Sequence, residues 1–546
     1  MGAPENPEMP PSASARKIRP DLWISLALLI GVLLLRMPTI LWPHELNVDE
    51  SQMMSQAMKY LVDPIPWRSV DGTSSGPLNT YPLTLLLLLG CQPGYVLLHA
   101  VAAVLVGLQL VLAHRTLLRL ASGKAVLWAL IPMLLALGLT RESELLFYAS
   151  ELLPSLLLAA GFHAFIIWMD GRCAAGARLL YLSGMLLGAA PWCKLQALPI
   201  AGALGMAVLV SVLKSNTWFE TSSPPGRGAL AFAAGAVTPA VLILSAVAGG
   251  GALGDFWSSY ILGNLSYAGP LETTRFLGRL EELLDIHELW PFLTMLFVVG
   301  TLGVHRLMKG RPPISAREFV LAAIVALFAL SALFAVCRPA YFFPHYAIFL
   351  IYPLTLLGSA PLLLSRPKPI AGVEPPAGAL RSCAGALAAV LLAGVAGSRV
   401  LELRGRADPP PDCNEKIAAE ILKIQKARPV RSLAIWGWTP GVHVLTGLPP
   451  ATRDAIGHFV ISRGSMQSYF RKRFVEDLRR AKPEVFIDTV VPGTLMWKWT
   501  ENDGYESDEP LRRFIQEQYD PVLSLPLWVH GKPARVFVRR EPGASR

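Results

Sequence analysis

The chain has 546 residues, of which 53% are hydrophobic and only 16% charged, with a mean hydropathy of +0.44. Globular chains in water carry roughly 25% charged residues, so this composition excludes an ordinary soluble protein. The net charge of +10 would suit a nucleic-acid partner. The basic residues, however, cluster between apolar blocks, as the positive-inside bias requires, and no nucleic acid is expected.

Taken in order, a Pro-rich tail (1–21) carries Arg16, Lys17 and Arg19 ahead of an apolar run that continues to Trp42. The run has no small-residue cleavage site at its far end, so it reads as an uncleaved first span. Further blocks of spanning length follow. They lie at 79–113 (broken at Gln92-Pro93-Gly94), 125–141, 145–169, 179–193 and 195–213. The rest are 229–249, 289–308, 317–336, 341–364 and 381–399. The 79–113 block is long enough for a short interfacial helix and one crossing, and the pair around Lys194 could be half-helices. The expected fold is a polytopic α-helical membrane protein of about eleven spans, residues 22–400, with a water-soluble α/β domain at 401–546.

With the N-terminus in the cytoplasm, the inside loops carry Arg115, Arg119 and Lys124, then Arg172 and Arg178, then Lys214 and Arg227. Later inside loops carry Arg306, Lys309, Arg311 and Arg317, then Arg366, Lys368 and Arg381. An odd number of crossings puts the C-terminal domain outside a bacterial inner membrane. The first outer loop, 43–78, is polar. A second, 250–288, holds Phe256, Trp257 and Tyr260 before Arg275, Arg279, Glu281 and Glu282, and reads as interfacial helix.

Beyond residue 400 the pattern alternates. Helical periods at 414–427, 467–481 and 508–518 alternate with strand-like Ser432–Trp438, Glu484–Val491 and Val536–Val538. Six cysteines are too few and scattered for a disulfide framework. The absence of a CxxC pair argues against structural zinc.

Polar residues among the spans carry the chemistry. His44-Glu45-Leu46-Asn47-Val48-Asp49-Glu50-Ser51 follows the first span and precedes a helical stretch, Gln52–Leu61. Asp49 or Ser51 could cap that helix; alternatively Asp49 is a general base at the membrane surface. Glu142 and Glu144 lie between the 125–141 and 145–169 blocks, and Glu151 lies within the start of the second. A charge at mid-bilayer costs about 2.5–3.5 kcal/mol on insertion scales, so Glu151 is either a snorkelling or paired acid or a cavity residue.

Lys194, in Pro191-Trp192-Cys193-Lys194-Leu195-Gln196, needs an anion or acid beside it. Arg338 offers a bidentate fork for phosphate. His345, in Phe343-Pro344-His345-Tyr346, is a phosphate donor, a metal ligand or a structural histidine. No Walker-type glycine loop occurs. Arg471-Lys472-Arg473 with Arg479-Arg480 could meet anionic headgroups or an acidic glycan, or be a solvated helix face.

The ordered set of segments resembles the GT-C superfamily of polyprenyl-phosphate-sugar-dependent glycosyltransferases, in particular bacterial relatives of protein O-mannosyltransferases and of the lipid A aminoarabinose transferase. The matching pieces are Val48-Asp49-Glu50-Ser51, Gly76-Pro77-Leu78, Ala149-Ser150-Glu151-Leu152-Leu153-Pro154 and Gly184…Lys194. Later ones are Arg338…Phe343-Pro344-His345-Tyr346, Trp436-Gly437-Trp438-Thr439-Pro440 and Gly447-Leu448-Pro449-Pro450.

The resemblance implies a catalytic base at Asp49 with Glu50 as its neighbour in the site. Lys194, Arg338, His345 and Tyr346 would then lie near the donor phosphate, and Glu151 and Glu144 would position acceptor or metal. Glu151 stands where the family often has Asp. Metal use varies in the family, so a divalent ion stays open. The implied partners are a polyprenyl-phosphate-sugar donor, a glycan, lipid or protein acceptor, and membrane lipid. A lipid or sugar transporter or flippase is the alternative; it would favour inverted repeats, which the sequence lacks.

Overall fold

A computed structural model describes residues 20–120, 124–171, 176–215, 224–270, 272–308, 315–364, 397, 401, 412–490, 503–525 and 534–541. Apart from residues 397 and 401, the expected span at 381–399 and the surroundings of the 400/401 domain boundary therefore lie outside the described residues, as does nearly all of the N-terminal tail.

The protein is a mostly helical polytopic membrane protein with a small C-terminal sheet. Among the described residues, five helical segments are long and apolar enough to cross a membrane: Tyr95–Leu120, Leu152–Met169, Leu195–Leu213, Pro225–Gly249 and Ala316–Cys337. A sixth is Thr273–Leu284 with Leu289–His305 if that pair, bent by 88°, is one span. Shorter apolar helices are Asp21–Leu35 and Val126–Leu139. The 79–113 block is broken at the expected place, into Pro77–Leu88 and Tyr95–Leu120.

Three of these helices meet at one face, with Ala316–Cys337 running antiparallel to the other two. Arg119 and Arg317 both pair with Asp170, at 3.1 and 3.0 Å. These residues mark the start of Ala316–Cys337 and the ends of Tyr95–Leu120 and Leu152–Met169. The opposite ends carry Tyr95 and His99, Glu151, and Arg338. At about 1.5 Å rise per residue, the helix from Leu152 to Met169 separates the two faces by roughly the thickness of a hydrocarbon core.

The second outer region is more varied than the single interfacial helix expected. Phe256–Gly263 is a π-helix, followed by Asn264–Ala268 and the amphipathic Thr273–Leu284. Trp67, Trp192, Phe256 and Tyr260 pack together over the first outer loop.

In the C-terminal domain the sheet order is β1-β2-β4-β3, with β1 Leu433–Trp436, β2 Val485–Asp488, β3 Tyr519–Leu525 and β4 Ala534–Arg539. β1 and β2 are parallel, the other pairs antiparallel. Alternate residues cover opposite faces. Leu433, Ile435, Val485 and Ile487 pack with Ile417 and Ile421 of helix Cys413–Ala427. Ala434, Trp436 and Phe486 pack with Phe474 and Leu478 of helix Gln467–Ala481. β3 was not expected: Pro521 within it demotes a strand pattern. Proline is tolerated here because β3 is the edge strand and shifts register between Pro521 and Leu523.

Candidate active site

The site begins with a cap. Helix Val48–Tyr60 starts four residues earlier than the pattern suggested, and its N-cap is Asn47, whose side chain accepts the N–H of Asp49 at 2.9 Å. This corrects the expectation that Asp49 or Ser51 caps the helix. Asn47 precedes the first helical turn in extended backbone, the conformation an N-cap requires. The Asp49 carboxylate, in the first turn, is thereby not taken up by capping, and 26% of its side chain is exposed.

Glu144 lies across from it, in the turn Ser143–Leu145. It accepts Asn47 Nδ2 at 2.6 Å and pairs with His345 Nδ1 at 2.6 Å. The other ring nitrogen, Nε2, stands 3.9 Å from both Asp49 Oδ2 and Glu151 Oε1, beyond hydrogen-bond range.

Lys194 completes the group. It sits in extended backbone at the break between helix Gly176–Cys193 and the turn Leu195–Ala197. Its Nζ pairs with Glu151, donates to Ser150 Oγ at 2.8 Å, and lies 4.7 Å from the centre of the Tyr346 ring. The buried acid and buried base each require the other. An ammonium has three donors, and these two partners occupy two of them.

Asp49, Glu144, Glu151, Lys194, His345 and Tyr346 therefore converge. Burial, with Glu151 and Glu144 adding to it, raises the Asp49 pKa above its usual 3.8, although His345 and Lys194 pull the other way. With Nδ1 of His345 bonded to Glu144, its Nε2 faces the two carboxylates of Asp49 and Glu151, and an imidazolium would present an N–H there.

Two expected site residues face elsewhere. Glu50 is completely buried: it accepts the N–H of Leu46 at 2.7 Å and of Tyr148 at 3.4 Å, and pairs with His99 at 3.2 Å. It ties the Asp49 helix to helix Tyr95–Leu120 and to the segment leading into Glu151. Arg338 directs its two Nη groups to the carbonyls of Ala268 and Gly269, at 2.8 and 2.9 Å. It thus fixes the turn after Tyr267, whose hydroxyl meets that of Tyr346 at 3.3 Å.

Gly76-Pro77-Leu78 has a packing explanation. Gly76 N–H donates to Cys193 O at 2.7 Å, and a Cβ on Gly76 would fall 2.0 Å from Trp192 O. Asn79 Nδ2 adds bonds to Cys193 O and Ser150 O, both 2.8 Å. The carbonyl left over where the helix ends before Lys194 is thereby satisfied. Asn47, Ser150 and Asn79 were not singled out from sequence, because neutral polar residues carry no charge anomaly against an apolar background.

In the basic run Lys472, Arg479 and Arg480 are exposed, as a solvated helix face requires, and Arg473 alone departs from both readings. Arg473 is buried and bridges Asp71 of the first outer loop and Asp454, at 2.7 Å each. It meets neither lipid nor solvent. Arg480 pairs with Asp477, and Arg471 donates to Val460 O at 3.1 Å beside the Trp436 ring.

The donors around Glu151 do not suit a divalent ion, since its carboxylate holds an ammonium and Glu144 holds His345 Nδ1. Among the described residues no group of three or more His, Cys, Asp or Glu side chains is arranged to hold a metal.

No protein-family profile matches the sequence, and no curated protein matches it. Solved structures do. ArnT from Cupriavidus metallidurans bound to undecaprenyl phosphate superposes with a TM-score of 0.56 at 11% identity, covering 95% of this chain and 98% of that one. The apo state of the same protein gives 0.56 at 13% identity, covering 94% and 97%. Over nearly its whole length the chain has the fold of ArnT.

Proposed function

We propose that this protein is a membrane glycosyltransferase that moves a sugar from a polyprenyl-phosphate donor to a hydroxyl acceptor at the outer face of a bacterial inner membrane. The observation that carries the reading is the partly exposed Asp49 carboxylate beside two unused donors, one on Lys194 and one on His345. A raised carboxylate pKa brings a base closer to working pH. The likeness of fold to a protein solved with undecaprenyl phosphate supports a lipid-phosphate donor over a transporter's cargo.

In this mechanism the acceptor hydroxyl binds against Asp49, which takes its proton. The oxygen attacks the anomeric carbon from the face opposite the phosphate, so configuration inverts. The C–O bond to polyprenyl phosphate breaks, and the leaving phosphate gathers negative charge. Lys194 and the His345 Nε2–H meet that charge with donors already in place. Glu151, Ser150 and Tyr346 hold Lys194, and Glu144 holds His345. Arg338 supports Tyr267 and Tyr346 from behind, and Glu50 positions the backbone on which Asp49 stands.

The topology that goes with this reading has about eleven crossings, with residues 1–21 cytoplasmic, 22–400 the catalytic membrane domain and 401–546 extracytoplasmic. The positions of Arg119, Arg317 and Asp170, opposite Asp49, support that sidedness. The test is turnover of a panel of radiolabelled polyprenyl-phosphate sugars by the protein in nanodiscs, beside Asp49→Asn. A donor consumed by the wild type and spared by the variant supports both class and base. Wild-type protein inert toward every donor, with membrane acceptors present, overturns the reading.

A further inference from the structure

Between the Asp49 helix and Gly76 runs a loop held in unusual backbone. Trp67 and Thr73 have φ of 59° and 56°, a left-handed conformation that is sterically costly for a non-glycine residue and most of all for a β-branched one. Such residues persist only where their surroundings over-determine them.

The surroundings here come largely from the C-terminal domain. Asp71 Oδ1 accepts the Thr73 N–H at 2.9 Å, while Oδ2 accepts Ser259 and pairs with Arg473. Asp71 N–H donates to Arg453 O at 2.9 Å. Arg453 in turn reaches Trp67 O at 3.3 Å and Asp255 at 2.7 Å. Asn264, just past the π-helix, donates to Thr73 O at 3.1 Å. Both strained residues are thus gripped by groups from outside the loop.

Stability alone is a poor reason for this arrangement. One guanidinium faces two buried carboxylates, and among the described residues Arg473 Nε and Nη1 and Asp454 Oδ2 have no hydrogen-bond partner. A buried ion cluster with unmet donors is at best neutral against apolar packing, but it does fix one geometry. The geometry it fixes leads into the site. Ser75 forms a bridge with Lys194, Gly76 bonds Cys193 O, and Asn79 bonds Cys193 O and Ser150 O.

We propose that Arg473 is a positioning residue for the membrane site: through Asp71 it sets the loop at 66–76, and through Ser75 and Gly76 it sets where Lys194 stands beside Glu151 and Asp49. The C-terminal domain thereby acts on the reaction without touching a reacting atom. This rests on Lys194 belonging to the transfer site, as proposed above.

The test uses the full chain in nanodiscs with Arg473→Met, Arg473→Lys and Asp71→Asn. Hydrogen–deuterium exchange in Arg473→Met is expected to rise about tenfold at 72–79 and at 193–197, the signature of easier local opening. Turnover of the lipid-linked donor is expected to fall about a hundredfold in kcat, as for a misplacement of about 1 Å, with KM nearly unchanged. The acid limb of its pH profile is expected to move, because Lys194 no longer offsets Asp49 as before. Arg473→Lys keeps the charge and should recover part of both effects. If Arg473→Met does not fold, Asp71→Asn carries the same expectations.

Exchange that rises only within 412–490, with reduced activity at an unchanged pH midpoint, would mean a structural role and overturn the proposal. If wild-type protein turns over no donor, the transferase reading falls, and the exchange at 193–197 still decides the coupling.

Discussion

Asn47 Oδ1 accepts the backbone N–H of Asp49 at 2.9 Å. An aspartate in the first turn of a helix is ordinarily explained by capping or by the helix dipole. With the cap supplied two residues earlier, the Asp49 carboxylate remains available to an acceptor hydroxyl.

Asp49→Asn is therefore expected to lower turnover by about 10²–10⁴, the usual worth of a positioned general base. The fold should hold, since the amide keeps the shape of a partly exposed side chain. Thermal unfolding alongside kcat checks both halves, and an active variant would remove Asp49 as base.

Burial raises the Asp49 pKa above 3.8, and the sign of the pH effect follows. The base form is lost as pH falls through the raised value, so kcat/KM should decline on the acid side with a midpoint above the ordinary carboxylate range. A profile flat down to pH about 4, near the ordinary Asp value, would show that no such group is required.

Lys194→Met leaves Glu151 buried without its cation. Removing one partner of a buried pair costs about 3–5 kcal/mol, so this variant should unfold early as well as lose turnover. Pairing it with Glu151→Gln should restore much of the stability while activity stays low. Recovery of activity in the double variant would deny Lys194 a role at the leaving phosphate.

Gly76→Ala tests the contact beneath Lys194. The new Cβ would lie 2.0 Å from Trp192 O, and the forced shift should cost about 1–3 kcal/mol, as overpacking does, with a loss of turnover. Gly94→Ala, where no described residue stands within 4 Å, is the control and should change neither.

Glu50→Ala should act through stability. It strips the partner from the N–H groups of half-buried Leu46 and buried Tyr148 and from His99, at up to about 1–3 kcal/mol for each buried group left unsatisfied. Glu50→Gln retains an acceptor and should keep most of the activity. A collapse of kcat in Glu50→Gln without a fall in Tm would place Glu50 in the chemistry itself.

The sequence by itself determined the membrane class, the break at Gln92-Pro93-Gly94 and most of the C-terminal elements. Hydrophobic period and length are local properties, written within twenty residues of chain. It also singled out Asp49, Glu144, Glu151, Lys194, His345 and Tyr346, since a charge or polar tip stands out against an apolar background. It could not tell which of these groups meet. Lys194 and Glu151 are 43 residues apart and His345 and Glu144 are 201 apart, so packing of separate helices alone joins them.

Packing likewise turned Glu50 toward His99, sent Arg338 to the carbonyls of Ala268 and Gly269, and buried Arg473 against Asp71. Residues adjacent in sequence, such as Asp49 and Glu50, point about 100° apart on a helix. Their fates were therefore decided by what lay on each side. β3 stayed hidden for a related reason, because whether Pro521 is tolerated depends on a neighbouring strand lying on one side only. Charge and periodicity act through bonds and near neighbours, whereas partnership between distant groups exists only once the chain has folded.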